Sequence, residues 1–291
     1  MESLITGQRK REDDMSDNIS SHHIADNGWY NAEMAKSLID KIYFLDKVDA
    51  RMFVDFGCAN GVMLSFIEKV FPGMKLVGYD VNEEMLDEAR KRDPDSAVIY
   101  TSDWQEVSRL VTEHRKASSA DDNKVCLVLS SVLHELHSYL DEGEKVDAFR
   151  KIWGEDGIEF DYIAVRDMMA DKSVSRPANP ITVARVQQVF EARHPGLISQ
   201  WEARWGHLGE NWSLQHFLLT YRYVSNWDRE YRENYLPQNY QDFMASVPRK
   251  YHAIYRDHFI LPFLERRVRE DFDITMTDAT HLKVVFELRR R

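Results

Sequence analysis

The sequence has few cysteines, no long apolar run and no excess of positive charge. Cys58 and Cys126 are the only cysteines among its 291 residues, which excludes a disulfide scaffold and a zinc site built on a cysteine cluster. No apolar run approaches the ~20 residues that a membrane-spanning helix needs. Residues 1–18 also lack the apolar segment of about 7–15 residues that marks a secretory signal peptide. We therefore expect a cytoplasmic protein with no membrane partner.

The charge of the chain is negative overall and unevenly distributed. A net charge of −11 at pH 7 argues against a general nucleic-acid-binding protein, which needs cations to neutralise phosphates. Residues 170–267, however, hold 13 Lys and Arg against 10 Asp and Glu. This basic segment leaves RNA or another phosphorylated partner open. The alternative is that its charges only solvate helix surfaces.

Strand-like and helix-like segments alternate along most of the chain. Apolar runs predict strands over residues 52–57, 75–80, 97–101, 124–130 and 160–166. Amphipathic runs predict helices over residues 62–71, 83–92, 104–115 and 143–153. Because such alternation is typical of βαβ units, we predict an α/β fold with a doubly wound, mostly parallel sheet. Residues 272–291 predict two more strands joined directly, which gives a seven-stranded sheet with an antiparallel C-terminal hairpin.

The domain organisation follows from where this alternation holds. Residues 1–20 are polar and charged, and we expect a disordered leader there. Residues 21–169 and 268–291 form the predicted core. Residues 170–267 are rich in aromatic side chains and broken by prolines, so we predict a largely helical insertion that caps the substrate pocket or forms a homodimer interface. Its aromatic residues favour a helical core over a surface that stacks on bases.

The turn after the first predicted strand carries small residues at alternate positions. In the stretch FVDFGCANGVMLSFIEKV, residues 53–70, these are Gly57, Ala59 and Gly61. At the carboxyl end of a strand in a doubly wound sheet, small residues let a ligand lie against the backbone, and the next helix points its free N–H groups at that ligand. The spacing is not the G-x-G-x-x-G of dinucleotide-binding proteins, because Val62 stands where the last glycine would be.

The pattern acid-x-G-x-G-x-G, with Asp55 as the acid and Ala59 in place of the middle glycine, resembles the first motif of the class I S-adenosylmethionine-dependent methyltransferases. The resemblance covers about residues 30–168 and 268–291. It implies S-adenosylmethionine as the cofactor. It also agrees with a closing hairpin, which nicotinamide-binding domains usually lack.

The resemblance assigns further cofactor contacts residue by residue. It implies that Asp80, after the second strand, binds the ribose hydroxyls, that Val81 packs on the adenine, and that Asp103 meets the adenine amino group. The structural alternative for Asp80 is a helix N-cap, and for Asp55 it is a tether of the turn backbone. The complete set of expected cofactor-binding residues is Tyr30, Asp55, Gly57, Cys58, Ala59, Gly61, Asp80, Val81, Asp103, Trp104 and Ser130.

The segment after the fourth predicted strand, SSVLHELHSY, supplies the candidate catalytic residues His134 and Glu135. The resemblance implies that the reactive end of the cofactor lies here, and a neutral His134 with a pKa near ~6.5 can take a proton from a hydroxyl or an amine. The alternatives are a buried structural histidine, and a metal site in which His134 and His137 share a helical face. We assign no metal ligand, because the remaining ligands cannot be named from the sequence.

Two further segments are candidates for contact with the substrate. Arg166 and Asp167 follow the fifth predicted strand, and they either pair with each other or contact the substrate. Residues 248–259 interleave Lys and Arg with aromatic side chains, and we predict that they contact a phosphorylated substrate or RNA.

The sequence therefore predicts an S-adenosylmethionine-dependent methyltransferase with an unidentified acceptor, either a small molecule or an RNA or phosphorylated substrate. The alternative from another class is a methyltransferase-like domain that has lost catalysis and serves as an interaction module. Intact acids at Asp80 and Asp103 argue against that alternative. A nicotinamide-dependent oxidoreductase conflicts with the spacing of the turn.

Overall fold

The computed structural model describes residues 38–120 and 122–290. The predictions of a leader over residues 1–20 and of a cofactor contact at Tyr30 lie outside these residues. The strands are β1 (Met52–Phe56), β2 (Lys75–Tyr79), β3 (Ile99–Thr101), β4 (Val125–Ser130), β5 (Tyr162–Met168), β6 (Tyr251–Phe259) and β7 (His281–Leu288). The helices are α1 (Leu38–Lys41), α2 (Val62–Val70), α3 (Glu83–Arg92), α4 (Trp104–Ala117), α5 (Leu133–Tyr139), α6 (Glu142–Ile152), α7 (Pro180–Arg193), α8 (Leu197–Trp205), α9 (Asn211–Thr220), α10 (Trp227–Glu230), α11 (Tyr240–Ser246) and α12 (Pro262–Phe272), with 3₁₀ turns at Lys172–Val174 and Val224–Asn226. None of these helices is both long enough and apolar enough to cross a membrane.

The seven strands form one sheet in the order β3-β2-β1-β4-β5-β7-β6. Strands β1 to β5 run parallel, whereas β7 runs antiparallel to both of its neighbours, β5 and β6. This order confirms the predicted α/β class and the mostly parallel, seven-stranded sheet. The strand order reverses between β1 and β4, and a doubly wound sheet opens a crevice beyond the carboxyl ends of its strands at such a point.

Burial along β1 agrees with the central position of this strand in the sheet, and one buried side chain of the strand indicates a site. Every residue of β1 is buried, and Val54 lies between Val77 of β2 and Leu127 of β4. Strands covered on both faces need nearly continuous apolar sequences. Asp55 is the one charged residue of β1, and it is nevertheless only 3% exposed. A carboxylate in the most buried strand costs free energy unless a ligand or a cation compensates it, so Asp55 points to a site.

The location of the sixth strand corrects the sequence analysis. Residues 272–291 were expected to hold both strands of the hairpin, but they hold only β7. Its antiparallel neighbour β6 lies at residues 251–259, inside the segment assigned to the insertion, and α12 separates the two strands. Strand β6 forms the edge of the sheet, and its sequence YHAIYRDHF mixes polar, charged and aromatic residues with little burial, as edge strands commonly do. This mixed composition concealed the strand, and the insertion therefore ends before residue 251.

The segment between β5 and β6 is largely helical, and most of it has its own core. Helices α7 to α10 pack around large buried side chains, among them Trp201 and Phe217, both of which are 0% exposed, whereas Phe243 of α11 belongs to the core of the sheet. Helix α12 adds Leu264, Val268 and Phe272 to the same cluster. Most aromatic residues of this segment thus lie in a helical core, while Tyr240 and Tyr251 pack in the core of the sheet.

Candidate active site

The turn between β1 and α2 explains the small residues at alternate positions. Gly57, Ala59 and Gly61 all adopt positive φ angles, of 77°, 45° and 68°. The left-handed region costs an ordinary residue roughly 1–2 kcal/mol, and only glycine occupies it freely. A Cβ at Gly57 would lie 2.5 Å from Cγ2 of Val132. The pattern therefore encodes a tight backbone turn, and it also leaves the edge of the sheet open to a ligand.

Asp80 fastens this turn to the end of β2. One of its carboxylate oxygens accepts the N–H of Ala59 at 2.8 Å, and the other accepts the N–H of Asn82 at 2.9 Å. The N–H groups of Gly57 and Cys58 also donate to the carbonyl of Tyr79, the residue before Asp80. Asn82 caps α3 by accepting from Glu84 and Met85, so the N-cap alternative for Asp80 is wrong.

A cavity of about 190 Å³ lies against this turn. Asp80 and Asp55 both line it. Its other lining residues include members of the ends of β1, β2 and β4, of α1 and of α10. The lining residues are Leu38, Lys41, Asp55, Gly57, Cys58, Ala59, Asn60, Val62, Met63, Asp80, Val81, Asn82, Met85, Ser130, Ser131, Glu135 and Arg229. Eight residues proposed from the sequence are in this set: Asp55, Gly57, Cys58, Ala59, Asp80, Val81, Ser130 and Glu135.

Three other predicted cofactor residues do not line this cavity. Gly61 stands under the ring of Tyr100, whose hydroxyl oxygen would lie 2.4 Å from a Cβ at that position, so this glycine makes room for a ring. Asp103 is exposed and caps α4 by accepting the N–H of Gln105 at 2.8 Å. Trp104 packs its ring on Tyr79 at 5.1 Å between ring centroids. Helix capping and ring packing keep the last two side chains away from the crevice.

Asp55 and Lys41 place a buried acid and a buried base in the same cavity. Burial raises the pKa of Asp55 to about 7, and the nearby charge of Asp80 acts in the same direction while Lys41 opposes it. Burial, together with the charge of Arg166, lowers the pKa of Lys41 to about 8, while Asp55 opposes that shift. Each group is held close to neutral pH, where a charged ligand can change its protonation.

A second cavity, of about 530 Å³, adjoins the first. It lies between the carboxyl edge of the sheet and the helical segment. Lys41, Ser131, Glu135 and Arg229 line both cavities. The other lining residues of this second cavity are Ile39, Asp40, His134, Arg166, Met168, Leu219, Arg222, Tyr223, Glu233, Tyr235, Leu261, Pro262, Phe263, Leu264, Arg266, His281 and Lys283.

His134 lines the second cavity and is held by Asp167. Its Nδ1 lies 2.8 Å from a carboxylate oxygen of Asp167. Asp167 also accepts the N–H of Leu133 at 2.7 Å and that of Met168 at 2.8 Å. Because an ionised Asp167 can only accept, Nδ1 carries a proton in both the neutral and the cationic form of the ring. Nε2 is then the nitrogen left for a ligand. Asp167 at the end of β5 thus holds the start of α5, the helix that follows β4.

The protonation of His134 differs from the expected neutral form. Burial alone lowers its pKa, but the charge and hydrogen bond of Asp167 and the nearby carboxylates of Glu233 and Glu135 outweigh burial and raise the pKa to about 9. Nε2 lies 3.7 Å from a carboxylate oxygen of Glu233. His134 is therefore a cation at neutral pH, and it becomes a proton acceptor only when the pH approaches that value.

Glu233 and Arg229 bring the helical segment to the site. Arg229 pairs with Glu233 at 2.7 Å and with Glu135 at 3.3 Å. The hydroxyl of Tyr139 donates to Glu233 at 2.6 Å, and the N–H of Asn234 donates to Ser138 at 2.9 Å. These contacts join α5 to the segment at residues 229–235.

The carboxylates near His134 could also ligate a cation. Donor atoms of His134, Glu135 and Glu233 all lie within 4.8 Å of one another. The guanidinium of Arg229, however, already places a positive charge between the two carboxylates. The alternative of a metal site shared by His134 and His137 is not supported, because His137 packs against Phe149 at 5.7 Å between ring centroids and does not line the cavity.

Arg166 and Asp167 do not pair with each other. Arg166 Nε lies 2.5 Å from a carboxylate oxygen of Asp40, and Arg166 also donates to Ser131 at 2.8 Å. The two side chains face opposite directions from β5 because successive residues of a strand alternate between its faces. Arg166 itself lines the second cavity.

The basic and aromatic segment at residues 248–259 does not reach either cavity. Most of it is strand β6, and none of its residues lines the two cavities. Lys250 pairs with Glu159 at 3.0 Å, and Tyr251 is buried in the sheet core. The predicted substrate contact by this segment is not supported at these cavities, because most of the segment is the edge strand that pairs with β7.

Lys41, Arg229 and Glu233 were not found from the sequence. Lys41 lies in a short helix before β1, whereas Arg229 and Glu233 come from a segment about 100 residues after His134. The only signal in the sequence was the spacing of Arg229 and Glu233, which lets them pair on one helical face. That spacing is common on exposed helices, so it does not distinguish a site.

Comparison with known proteins gives weak similarity to methyltransferases. No family model matches the chain. Trans-aconitate 2-methyltransferase of Afipia carboxidovorans is 29% identical over 70 residues, which are 24% of this chain and 27% of that protein. The chain thus matches about a quarter of the length of that curated relative.

Three solved structures are similar in outline. The methyltransferase domain of bacterial CtHen1-C is 17% identical, with 87% of this chain and 97% of that chain covered and a TM-score of 0.44. The plantazolicin methyltransferase BpumL in complex with a triazolic desmethylPZN analog and SAH is 12% identical, with 88% and 84% covered and a TM-score of 0.40. The N-methyltransferase NodS of Bradyrhizobium japonicum is 13% identical, with 91% and 99% covered and a TM-score of 0.39. Scores and identities this low do not assign a function.

The strand order, the antiparallel last strand and the acid-containing turn after β1 define the fold independently of these comparisons. This is the arrangement that the resemblance to class I methyltransferases implied. The residues around the turn and the second cavity then determine what that fold can do here.

Proposed function

We propose that this chain is an S-adenosylmethionine-dependent methyltransferase. The cofactor would occupy the cavity of about 190 Å³ at the turn, and the methyl acceptor the cavity of about 530 Å³. The observation that carries the proposal is the shared wall between them, formed by Lys41, Ser131, Glu135 and Arg229. Methyl transfer needs the sulfonium and the acceptor atom to be held in line, and two adjoining cavities supply that alignment.

The first cavity suits the chemistry of the cofactor. The positive φ angles at Gly57 and Ala59 keep the backbone open, so that an adenosine can lie against it. Asp80 accepts one N–H at each carboxylate oxygen, which fixes this carboxylate at the edge of the cavity, where a ribose hydroxyl can donate to it. Asp55 supplies a buried carboxylate for the positive charge of the cofactor, and Val81, which is 77% exposed, offers an apolar surface for the adenine.

His134 is proposed to act on the acceptor through Nε2. The hydrogen bond from Nδ1 to Asp167 fixes the tautomer and the ring orientation. At neutral pH the imidazolium can donate a hydrogen bond to an acceptor oxygen. As the pH rises towards its pKa of about 9, a growing neutral fraction can take the acceptor proton. The rate of methyl transfer to a hydroxyl or an amine should therefore rise with pH up to that range.

The helical segment is proposed to cap the acceptor. It contributes Leu219, Tyr223 and Tyr235 to the wall of the second cavity, and Glu233 reaches His134 from the same segment. An acceptor bound there would be enclosed between the sheet edge and these side chains, which excludes water. A homodimer interface on this segment and a cytoplasmic location stay predictions.

The test of the proposed function is cofactor binding followed by an acceptor screen. S-adenosylmethionine and S-adenosylhomocysteine should each bind with a dissociation constant in the micromolar range, about 7–9 kcal/mol by calorimetry. NAD should not bind, because the turn lacks the dinucleotide spacing. NAD binding without binding of either methyl-cycle ligand would refute the proposal. Cofactor binding without turnover of any hydroxyl, amine, thiol or carboxylate acceptor would favour the inactive interaction module.

A further inference from the structure

His134 and Glu233 present a hydrogen-bond donor and an acceptor side by side in the second cavity. Both residues line this cavity, and their side chains are only 5% and 1% exposed. Nε2 of His134 lies 3.7 Å from Oε2 of Glu233, which is beyond hydrogen-bond distance. Within the described part of the chain neither atom hydrogen-bonds to another residue. Each of the two atoms can therefore hydrogen-bond to a ligand.

The surroundings of the pair hold these two atoms in place. Asp167 accepts from Nδ1 of His134 at 2.8 Å, so the cationic ring has its remaining N–H at Nε2. The other carboxylate oxygen of Glu233, Oε1, accepts the hydroxyl of Tyr139 at 2.6 Å and pairs with Arg229 at 2.7 Å. The donor thus comes from α5 and the acceptor from the helical segment, and both are positioned by contacts within the protein.

The charges of the pair make Glu233 the group that can take a proton from a ligand. Burial lowers the pKa of His134, but Asp167 outweighs burial and raises it to about 9, so the ring is a cation at neutral pH. Burial and the charge of Glu230 raise the pKa of Glu233, while Arg229 and His134 oppose that shift. A carboxylate with a raised pKa is, in its ionised form, a stronger base than an ordinary one.

The pair lies next to the wall that the two cavities share. Glu135, which follows His134 in the chain, belongs to that wall, and so does Arg229, which pairs with Glu233. A ligand atom ~2.8 Å from both Nε2 and Oε2 therefore lies beside the wall across which the proposed function moves the methyl group. We expect the reacting atom of the acceptor at this position.

The donor and the acceptor together select among the atoms that can be methylated, because the reacting atom needs a lone pair to attack the methyl carbon. A hydroxyl oxygen has a proton and two lone pairs, so it can accept from Nε2, donate to Oε2 and still attack. An amine nitrogen has a single lone pair, which a hydrogen bond from Nε2 would occupy. A carboxylate has no proton to donate and is repelled by Glu233, and a thiol is weak as both donor and acceptor.

We propose that the methyl acceptor carries a hydroxyl group, and that this hydroxyl binds between Nε2 of His134 and Oε2 of Glu233. This inference rests on the proposed function and adds the class of its acceptor and the residue that takes the proton. The hydroxyl oxygen forms a bond to the methyl carbon while the bond between that carbon and sulfur breaks. The electron pair of the broken bond stays on sulfur, which gives S-adenosylhomocysteine. The hydroxyl proton moves to Glu233, and the product is a methyl ether.

The first experiment titrates the full chain, saturated with S-adenosylhomocysteine, with three probes that share one ring system. These are 5-hydroxyindole, 5-aminoindole and 5-fluoroindole, and the cavity of about 530 Å³ has room for each of them. Calorimetry should give 5-hydroxyindole at least ~10-fold tighter binding than 5-fluoroindole, because fluorine cannot donate a hydrogen bond to the carboxylate of Glu233. With S-adenosylmethionine instead, mass spectrometry should find the methyl group on the oxygen of 5-hydroxyindole and none on the amine of 5-aminoindole.

The variant Glu233→Gln should weaken binding of 5-hydroxyindole at least ~10-fold and slow its methylation roughly 10²–10⁴-fold, because an amide cannot take the proton. Binding of S-adenosylhomocysteine and of 5-fluoroindole should stay unchanged. Glu230→Gln is the matched control. Glu230 is also 1% exposed and pairs with the same Arg229 at 2.6 Å, but it does not line the cavity.

Equal affinities of the wild type for 5-hydroxyindole and 5-fluoroindole, or equal losses in Glu233→Gln and Glu230→Gln, would overturn the inference and leave the proposed function intact. Methylation of 5-aminoindole without methylation of 5-hydroxyindole would overturn the hydroxyl class. If Glu233→Gln shows no thermal unfolding transition, the comparison of probes on the wild type still decides. Failure of S-adenosylhomocysteine to bind in the first titration would instead refute the proposed function, on which this inference depends.

Discussion

Replacement of Asp167 by Asn separates the electrostatic role of this residue from its shape. Asp167 is 0% exposed and accepts three hydrogen bonds, from His134 Nδ1, from the N–H of Leu133 and from the N–H of Met168. An amide keeps the volume but offers a single acceptor oxygen, so one of the donors then meets an NH₂ group. Loss of one partner of a buried ion pair typically costs about 3–5 kcal/mol. We expect Asp167→Asn to destabilise the fold by that amount at neutral pH.

The same substitution should change how stability depends on pH. The folded-state pKa of His134 is raised to about 9 from an ordinary value near ~6.5. The stability contributed by a raised histidine is fully present below the ordinary value and is lost as the pH rises through the folded-state value. A difference of this size corresponds to ~3 kcal/mol at most. Without the charge of Asp167, burial should dominate and this loss should disappear.

Urea denaturation of the wild type and of Asp167→Asn, at several values between about pH 6 and pH 10, measures both effects. Burial also raises the pKa of Glu233, so the difference between the two proteins, rather than the wild-type curve alone, isolates the His134–Asp167 pair. Asp87→Asn is the matched control, because Asp87 is exposed and pairs with Arg90 on the surface. That pair should contribute ~1 kcal/mol or less. Parallel stability curves for the wild type and Asp167→Asn would refute the assignment of the raised pKa to this pair.

Four further predictions concern the turn and the two cavities. Asp80→Ala should weaken binding of S-adenosylhomocysteine at least ~10-fold and lower the free energy of unfolding by ~2–4 kcal/mol, because two backbone N–H groups lose their acceptor; an unchanged dissociation constant in calorimetry would remove Asp80 from the site. Gly61→Ala should cost at least ~2 kcal/mol more than Gly73→Ala in a denaturant series, because both positions have positive φ but only Gly61 has a neighbouring ring in the way; equal costs would contradict this. Binding of S-adenosylmethionine at about pH 7 should release a fraction of a proton from Asp55, whose pKa is about 7, since a cationic ligand favours the carboxylate; calorimetry in buffers of different ionisation enthalpy measures this release, and proton uptake would contradict the prediction. His134→Ala should lower the rate of methyl transfer to a hydroxyl or amine roughly 10²–10⁴-fold and remove its rise towards alkaline pH, and a mutant with a normal rate and profile would leave His134 a structural role.

The sequence by itself determined the elements that depend on local pattern. Continuous apolar runs such as MFVDF specify buried parallel strands because both faces of such strands are covered. The alternation of Gly57, Ala59 and Gly61 specifies the turn because its backbone needs positive φ angles. These local constraints suffice for the α/β class, the site of the turn and the position of Asp80 at the end of β2.

Strand β6 shows where local pattern was insufficient. Its residues mix basic and aromatic side chains, and the same composition is typical of a surface that binds phosphates. Only pairing with β7 across the intervening α12 decides that the segment completes the sheet. An edge strand is stabilised by its partner and by one buried face, and neither is visible in the order of its own residues.

The tertiary structure alone decided the partners of His134. The sequence places His134 after β4, but Asp167 and Glu233 come from positions 33 and 99 residues away, and burial makes their charges strong enough to raise the pKa of the histidine to about 9. The second cavity likewise exists only because the helical segment and α12 fold over the same edge of the sheet. Charges that are far apart in the chain act together only when folding excludes water between them, and no local pattern records that proximity.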